Sequence, residues 1–214
     1  GEGSRCDSDT RKQTPSDFPY YVFSTYSMGA HCCFGVIFVD KESPHHVLYE
    51  YWGGSFLPHF RDVDEDGHYE MVGGDWTYES WPYGFVSTPA PSIIWHMGRS
   101  GLSIATELMM KPLPKSSTLA NYKNSIGDVS GDNYHLLYFV TLDLIYSGHE
   151  REAWEFFDDV WPEFFKLMSS HFQWTPDNKA ANRSLKEEEE FRKGEFRGEF
   201  VEEICSSLFA QSLN

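Results

Sequence analysis

The chain has 214 residues, of which 40% are apolar and 17% aromatic, so it can bury a substantial core in one domain or in two small ones. Its 17 Lys and Arg residues are outnumbered by 33 Asp and Glu residues, and the net charge of -16 repels phosphate backbones and anionic lipid headgroups. No apolar run reaches the roughly 18 to 20 residues of a membrane-spanning helix. The composition therefore argues against nucleic-acid binding and against membrane insertion.

The amino-terminal segment, residues 1–17, is polar and lacks both an initiator Met and the apolar core of a signal peptide. We expect it to be a disordered lead-in. A mature chain from which a signal peptide has been removed can begin in this way. The sequence therefore predicts a periplasmic or extracellular location.

Residues 18–110 predict a β region. Short segments rich in Tyr, Val, Ile, Phe and Trp alternate with clusters of Gly, Pro, Ser and Asp, which is the pattern of strands joined by turns. The spacing indicates an antiparallel meander of hairpins. Strands are predicted from Pro19, Phe34, His46, Tyr69 and Ser92, with one more directly before Asp62.

The rest of the chain predicts helices. Residues 111–133 are rich in Pro, Ser, Asn and Lys without clear periodicity, as in a connector. Residues 134–214 then show helical spacing of apolar residues. The fold class is therefore predicted to be α+β, with a helical C-terminal half that packs on the β sheet.

Within the helical region, the stretch LDLIYSGHEREAWEFFDDVWP resembles a helix pair of the tetratricopeptide type. In such a pair Gly148 ends the first helix and Ala153 packs where the two helices approach closely. No second copy occurs at a spacing of ~34 residues, so the resemblance implies no solenoid. Pro162 is expected to end or kink the second helix, and a third helix is predicted from about residue 185 to residue 213.

The segment from Asp62 to Glu70, DVDEDGHYE, predicts a metal-binding loop between two strands. Alternating carboxylates can converge on one point, and Gly67 permits the sharp turn that wraps the backbone around it. Every donor is a hard oxygen, which favours calcium over zinc, and an EF-hand would require a helix on each side. The predicted ligands are the side chains of Asp62, Asp64, Asp66 and Glu70 and the backbone carbonyl of His68.

The order strand, DxDxDGxxE, strand resembles the calcium hairpin of integrin-type FG-GAP repeats, whose blades build β-propellers. The match covers Asp62, Asp64, Asp66, Gly67 and Glu70, although the family more often has Asp in the last place. The resemblance implies a propeller-blade-like sheet with a structural calcium ion. A closed propeller is excluded because the β region is too short for the minimum of about four blades. The alternative is an acidic hairpin turn that holds no metal.

A wider stretch, roughly residues 20 to 160, is similar to a group of exported bacterial proteins of unknown function. The shared order is YSMGAHCCFGVIFVD, then FRDVDEDGHYEMV, then DWTYESWPYGFVSTPAPSIIW. This resemblance implies export, and hence oxidised cysteines, but it implies no activity.

Disulfide candidates are the cysteines of the chain, none of which has zinc-ligand spacing. The adjacent Cys32 and Cys33 would bond to each other only through a strained ring, so a bridge from one of them to Cys6 is sterically easier. Buried free thiols in a cytoplasmic protein are the alternative. The four candidates are Cys6, Cys32, Cys33 and Cys205.

Aromatic and acidic residues crowd the segment from residue 75 to residue 85. Such a surface can stack a sugar ring and hydrogen-bond its hydroxyl groups, and paired carboxylates can act as glycosidase acids. Alternating aromatic residues on a strand more commonly pack against a neighbouring element. The candidate ligand-binding residues are Asp75, Trp76, Tyr78, Glu79 and Trp81.

No residue receives a catalytic role, because the sequence contains no GxSxG elbow, no HExxH, no Gly-rich phosphate loop and no dinucleotide fingerprint. The leading hypothesis is a non-enzymatic, exported, calcium-binding structural or interaction module whose partner is an unknown protein or glycan. The alternative is a carbohydrate- or cell-wall-directed hydrolase or lectin that uses residues 75–85.

Overall fold

The computed structural model divides the chain into two compact units, residues 1–110 with 207–214 and residues 111–206. It confirms an α+β protein with two antiparallel sheets, and most of its helices lie in the C-terminal half. No helix in the part of the chain that the structure describes is long and apolar enough to cross a membrane. The described residues are 18–26, 34–43, 47–54, 56–79, 81, 89–98, 101–126, 133–171 and 185–213. The predicted lead-in, residues 1–17, lies outside them.

A three-stranded sheet opens the first unit. It contains β1 (Tyr20–Tyr26), β2 (Phe34–Asp40) and β3 (Val47–Gly54) in chain order, each antiparallel to its neighbour. The strands are rich in aromatic and β-branched residues, which favour the extended backbone. Val36 and Phe38 of β2 are buried two positions apart, as expected where one face of a pleated strand points into the core.

A four-stranded sheet follows in the same unit. Its strands are again antiparallel and in chain order, which confirms the predicted meander. The last strand has only four residues, too few to show a period in the sequence, and the pattern does not predict it. The strands are β4 (His59–Arg61), β5 (Glu70–Gly74), β6 (Ser92–Gly98) and β7 (Gly101–Ile104).

Aromatic side chains from both sheets meet in the core of the first unit. The Phe38 and Phe60 rings lie 6.2 Å apart edge to face, and the Tyr51 and Trp95 rings lie 5.0 Å apart in the same way. A Cβ atom on Gly73 would lie 2.8 Å from the Tyr51 hydroxyl oxygen, so glycine is required there for close approach. The two sheets therefore share one aromatic core.

Two short helices complete the first unit, α1 (Thr106–Met109) and α6 (Leu208–Ser212). The predicted third helix does not run unbroken to residue 213, because Ser207 interrupts it. The Ser207 backbone is extended, and its hydroxyl oxygen accepts a hydrogen bond from the Ala210 N–H at 3.1 Å. Ser207 thus caps a new helix and ends the preceding one.

The second unit is helical. The prediction that residues 111–133 are an irregular connector is wrong over eleven residues, Ser116–Ile126, which form the helix α2. Only Ile126 of α2 is buried, and a helix with so little buried surface leaves no apolar period in its sequence. The helices of this unit are α2 (Ser116–Ile126), α3 (Leu136–Tyr146), α4 (Glu150–His171) and α5 (Leu185–Ser206).

Helices α3 and α4 pack against each other as the predicted pair. Gly148 has a φ of 88° and ends α3, as predicted, and Ala153 of α4 is fully buried. Pro162 does not end α4, which continues to His171. The membership of this pair in the tetratricopeptide class stays a prediction.

Candidate metal site

The predicted metal loop joins β4 to β5. The last paired residues of this hairpin are Arg61 and Glu70, which lie opposite each other in antiparallel register. Asp62 follows Arg61 directly, so the pairing brings the first and last acidic residues of the segment together at the base of the loop. The flanking elements are strands, as predicted, and this rules out an EF-hand at this loop.

Three carboxylates converge at the base of this loop. One oxygen each from Asp62, Asp64 and Glu70 can be chosen so that all three lie within 4.8 Å of one another. Two oxygens that bind the same calcium ion at about 2.4 Å are at most about 4.8 Å apart, so this spacing matches a shared cation. The group, called the acidic triad below, could therefore hold a metal ion.

Backbone N–H groups of the loop point at the Asp62 carboxylate. The N–H of Asp66 donates to Asp62 Oδ1 and the N–H of Gly67 donates to Asp62 Oδ2, each at 3.0 Å. These bonds wrap the loop around the triad and offset part of the repulsion between its carboxylates. Each carboxylate oxygen has a second lone pair, so both oxygens can still bind a cation.

Two residues of the loop adopt positive φ. Gly67 has a φ of 92°, which confirms the sharp turn predicted there, and Glu65 has a φ of 62°. A left-handed backbone costs a residue with a side chain roughly 1–2 kcal/mol. Glu65 keeps this conformation because the hydrogen bonds to Asp62 fix the chain directly after it.

Glu70 is the buried member of the triad, with only 3% of its surface exposed. Its Oε2 atom accepts a hydrogen bond from the Val63 N–H at 2.9 Å. Its Oε1 atom lies 3.8 Å from Nδ1 of His96, whose Nε2 in turn lies 2.6 Å from Oε1 of Glu107. The hydrogen bond from His96 lowers the pKa of the Glu107 carboxyl group. His96 is on β6 and has no sequence spacing that links it to the loop, so the sequence could not place it here.

The sequence also predicts ligands at Asp66 and at the backbone carbonyl of His68, in addition to the acidic triad. Asp66 is not part of it; the Asp66 Oδ1 atom instead accepts a hydrogen bond from the His68 N–H at 2.8 Å, which shapes the turn. His68 lies exposed in the same loop, and a metal-binding role for its carbonyl stays a prediction. Three of the five predicted ligands are thus shown to converge, and a role of Asp66 as a ligand also stays a prediction.

The second predicted site, in residues 75–85, is only partly at the surface. Asp75 and Tyr78 are completely buried, so neither is available to a ligand. Asp75 Oδ1 accepts hydrogen bonds from the N–H and the hydroxyl of Thr77, at 3.0 and 2.6 Å. Glu79 is exposed and Trp81 half-buried, and residues 80 and 82–88 lie outside the described residues.

Trp76, the other aromatic candidate of this segment, is also half-buried. A Cβ atom built on Gly54 would lie 2.1 Å from the Trp76 ring, so the indole covers a glycine of β3. The ring of Phe56 lies 6.1 Å from that of Trp76, edge to face. Trp76 therefore packs against neighbouring residues, which is the other interpretation of the alternating aromatic residues.

The cysteine predictions are tested at one position. Cys205 is exposed and has a free thiol, so it forms no disulfide. Cys6, Cys32 and Cys33 lie outside the described residues, and their bridge stays a prediction.

No known protein family matches this chain, and neither does any curated protein or solved structure. The resemblances to FG-GAP hairpins, to exported bacterial proteins and to tetratricopeptide pairs therefore stay predictions. A functional assignment must depend on the geometry of the site itself.

Proposed function

We propose that the loop from Asp62 to Glu70 binds one calcium ion, and that this ion staples the β4–β5 hairpin in a non-enzymatic, exported structural or interaction module. The observation that carries the proposal is the convergence of Asp62, Asp64 and Glu70 to within 4.8 Å. Three carboxylates in one place repel each other strongly unless a cation neutralises them.

Calcium suits this site better than other common ions. All the proposed donors are hard oxygens, whereas zinc prefers sets that contain sulfur or nitrogen, so the donor set favours calcium over zinc. Magnesium demands a small octahedral shell, whereas calcium accepts 6–8 oxygens in flexible geometry. A loop of backbone and carboxylates between two strands offers that flexibility.

A structural role follows from how the triad is attached to the backbone. Asp62 holds the N–H groups of Asp66 and Gly67, and Glu70 holds the N–H of Val63. A cation that draws these carboxylates together therefore also draws the two ends of the hairpin together. Export is proposed because calcium is abundant enough outside the cytoplasm for extracellular sites with Kd values of about 10⁻⁴–10⁻³ M.

The alternative, a hydrolase or lectin that uses residues 75–85, has weaker support. It requires an exposed aromatic ring beside two accessible carboxylates. Asp75 is buried and bonded to Thr77, which leaves Glu79 as the accessible carboxylate among the described residues of that segment.

Isothermal titration calorimetry with calcium and then with magnesium tests the proposal. We expect one calcium ion per chain and at least about tenfold weaker binding of magnesium. The Asp64→Asn variant should bind neither ion measurably. Absence of calcium binding at millimolar concentration would overturn the proposal, and tighter binding of magnesium would overturn its choice of ion.

A further inference from the structure

A cavity of about 410 Å³ lies beside the metal loop, within the first unit. Its lining includes the loop from Asp66 to Glu70 and residues of the β6–β7 hairpin, among them His96 and Ser103. This volume falls in the range of roughly 300–1,000 Å³ that is typical of small-ligand sites. The cavity, called the loop groove below, is large enough for a small ligand.

The charge of the loop groove restricts the class of ligand. Its described lining includes the acidic residues Asp66 and Glu70 but neither Lys nor Arg. Even with a calcium ion at the acidic triad, its three carboxylates outweigh the charge of the ion and Asp66 adds another negative charge, so a phosphate or carboxylate ligand would meet net negative charge. The charge of the groove therefore favours a neutral or a cationic ligand.

The polar groups of the loop groove both donate and accept hydrogen bonds. Among the lining residues, the Asp66 side chain accepts hydrogen bonds, whereas the side chains of Tyr69, Ser103 and His68 can both donate and accept. Sugar hydroxyl groups need this mixture, because each one donates and accepts. An amine donates but does not accept, so it can use only the acceptors of the groove, whereas a sugar hydroxyl group can also use its donors.

Apolar surface lies beside these polar groups. Phe18 and Met97 line the loop groove, as does Tyr69, which is 39% exposed. The Phe18 ring is held in place by the rings of Tyr20 and Phe60, at 5.7 and 5.8 Å. A fixed apolar wall beside hydroxyl-binding groups matches the two surfaces of a sugar ring, its C–H face and its hydroxyl edge.

The geometry points to the loop groove as a binding site for a neutral sugar ring, with the metal loop as one of its walls. This inference rests on the proposed function, because the calcium ion fixes the loop that carries Asp66 and Tyr69. Glu70 belongs to both the acidic triad and the groove, so calcium binding and sugar binding are coupled through this residue. The partner class of the module is therefore a glycan.

The test is a titration of the full chain with glucose, galactose, mannose and N-acetylglucosamine, followed by saturation-transfer NMR in calcium and in chelator. The Ser103→Phe variant fills the groove from β7 while leaving the triad in place. The Ser92→Phe variant is the matched control, because Ser92 is an exposed serine on the adjacent strand β6 and does not line the groove. Putrescine serves as the cationic competitor.

We expect at least one sugar to bind in calcium, at least about tenfold weaker binding to Ser103→Phe, and a change of less than about twofold in Ser92→Phe. Binding of putrescine in place of every sugar would overturn the ligand class. Equal losses in both variants would overturn the location. If calcium binds but no sugar does, the glycan inference fails and the proposed function survives; if calcium does not bind, the proposed function fails first.

Discussion

Glu70 Oε2 accepts a hydrogen bond from the backbone N–H of Val63 at 2.9 Å, and this bond ties the first residue of β5 to the second residue of the metal loop. The same carboxylate belongs to the acidic triad. Glu70 thus has two separable roles, since its oxygen holds the loop backbone and its charge attracts a cation.

The two roles of Glu70 can be separated with Glu70→Gln. The amide oxygen still accepts the Val63 N–H, but the charge is lost, so we expect calcium affinity to fall at least about tenfold. In chelator the melting temperature should stay unchanged or rise, because the variant removes repulsion from Asp62 and Asp64. Calorimetry and thermal melts measure both effects.

Glu65→Gln is the matched control for that variant, because Glu65 is exposed in the same loop and lies outside the triad. It should keep calcium affinity within about twofold of the unchanged chain. An equal loss of affinity in both variants would mean that overall loop charge, and not the triad, attracts the ion.

Asp64 and Asp66 should differ as calcium ligands. Asp64→Asn removes a triad carboxylate, and we expect it to abolish measurable calcium binding. Asp66→Asn keeps an oxygen that can accept the His68 N–H, so it should retain most of the affinity, with a loss of less than about fivefold. Equal and complete losses in the two variants, measured by calorimetry, would restore Asp66 to the ligand set that the sequence predicts.

The site shows what a motif can and cannot predict. The acidic spacing predicts the convergence of Asp62, Asp64 and Glu70 that the structure shows, and the hairpin register brings Asp62 and Glu70, at the two ends of the loop, together. It cannot tell whether Asp66 points at a metal or back at its own backbone, since both uses suit an Asp in a turn. The sequence cannot predict that His96 lies near Glu70, because the distance between them depends on how β5 pairs with β6.

Gly54→Ala should strongly destabilise the first unit. Gly54 has a φ of 55°, and a Cβ atom there would lie 2.1 Å from the Trp76 ring. We expect a loss of roughly 2–4 kcal/mol in the free energy of unfolding, from overpacking and backbone strain together. Urea unfolding followed by Trp fluorescence measures this loss.

The control for Gly54→Ala is Gly101→Ala. Gly101 also has a positive φ, 115°, but apart from its chain neighbours no described residue has a heavy atom within 4 Å of its added Cβ. Only backbone strain remains, so the loss should be smaller, about 1–2 kcal/mol. Losses of the same size would show that Trp76 can move away from β3, and would return this ring to the candidate ligand surface.

Gly194→Ala should stabilise the second unit. Gly194 lies inside α5, and apart from its chain neighbours and the backbone of its own helix no described residue has a heavy atom within 4 Å of a Cβ placed there. Alanine is favoured over glycine in a helix interior by up to about 1 kcal/mol, so the free energy of unfolding should rise by that amount. A decrease, measured by urea unfolding with circular dichroism, would mean that this face of α5 needs the space that glycine leaves.

The sequence predicts those strands and helices whose buried apolar residues recur at a regular spacing. The strands of the meander and the α3–α4 pair carry apolar residues at regular spacing, and Gly148 marks the turn between the two helices. Helix α2 was not predictable, since SSTLANYKNSI buries only Ile126. The sequence does not predict the helix break at Ser207, because a serine within a helical segment can also face solvent without capping a new helix.

The most direct test of the calcium staple is a thermal melt of the unchanged chain and of Asp64→Ala, each in calcium and in chelator. At a calcium concentration of about 100 times Kd, the folded state gains about 2.7 kcal/mol, which raises Tm by roughly 5–10 °C. We predict this rise for the unchanged chain and none for Asp64→Ala. A Tm that is the same at this calcium concentration and in chelator, or a rise that survives in Asp64→Ala, would contradict the calcium staple.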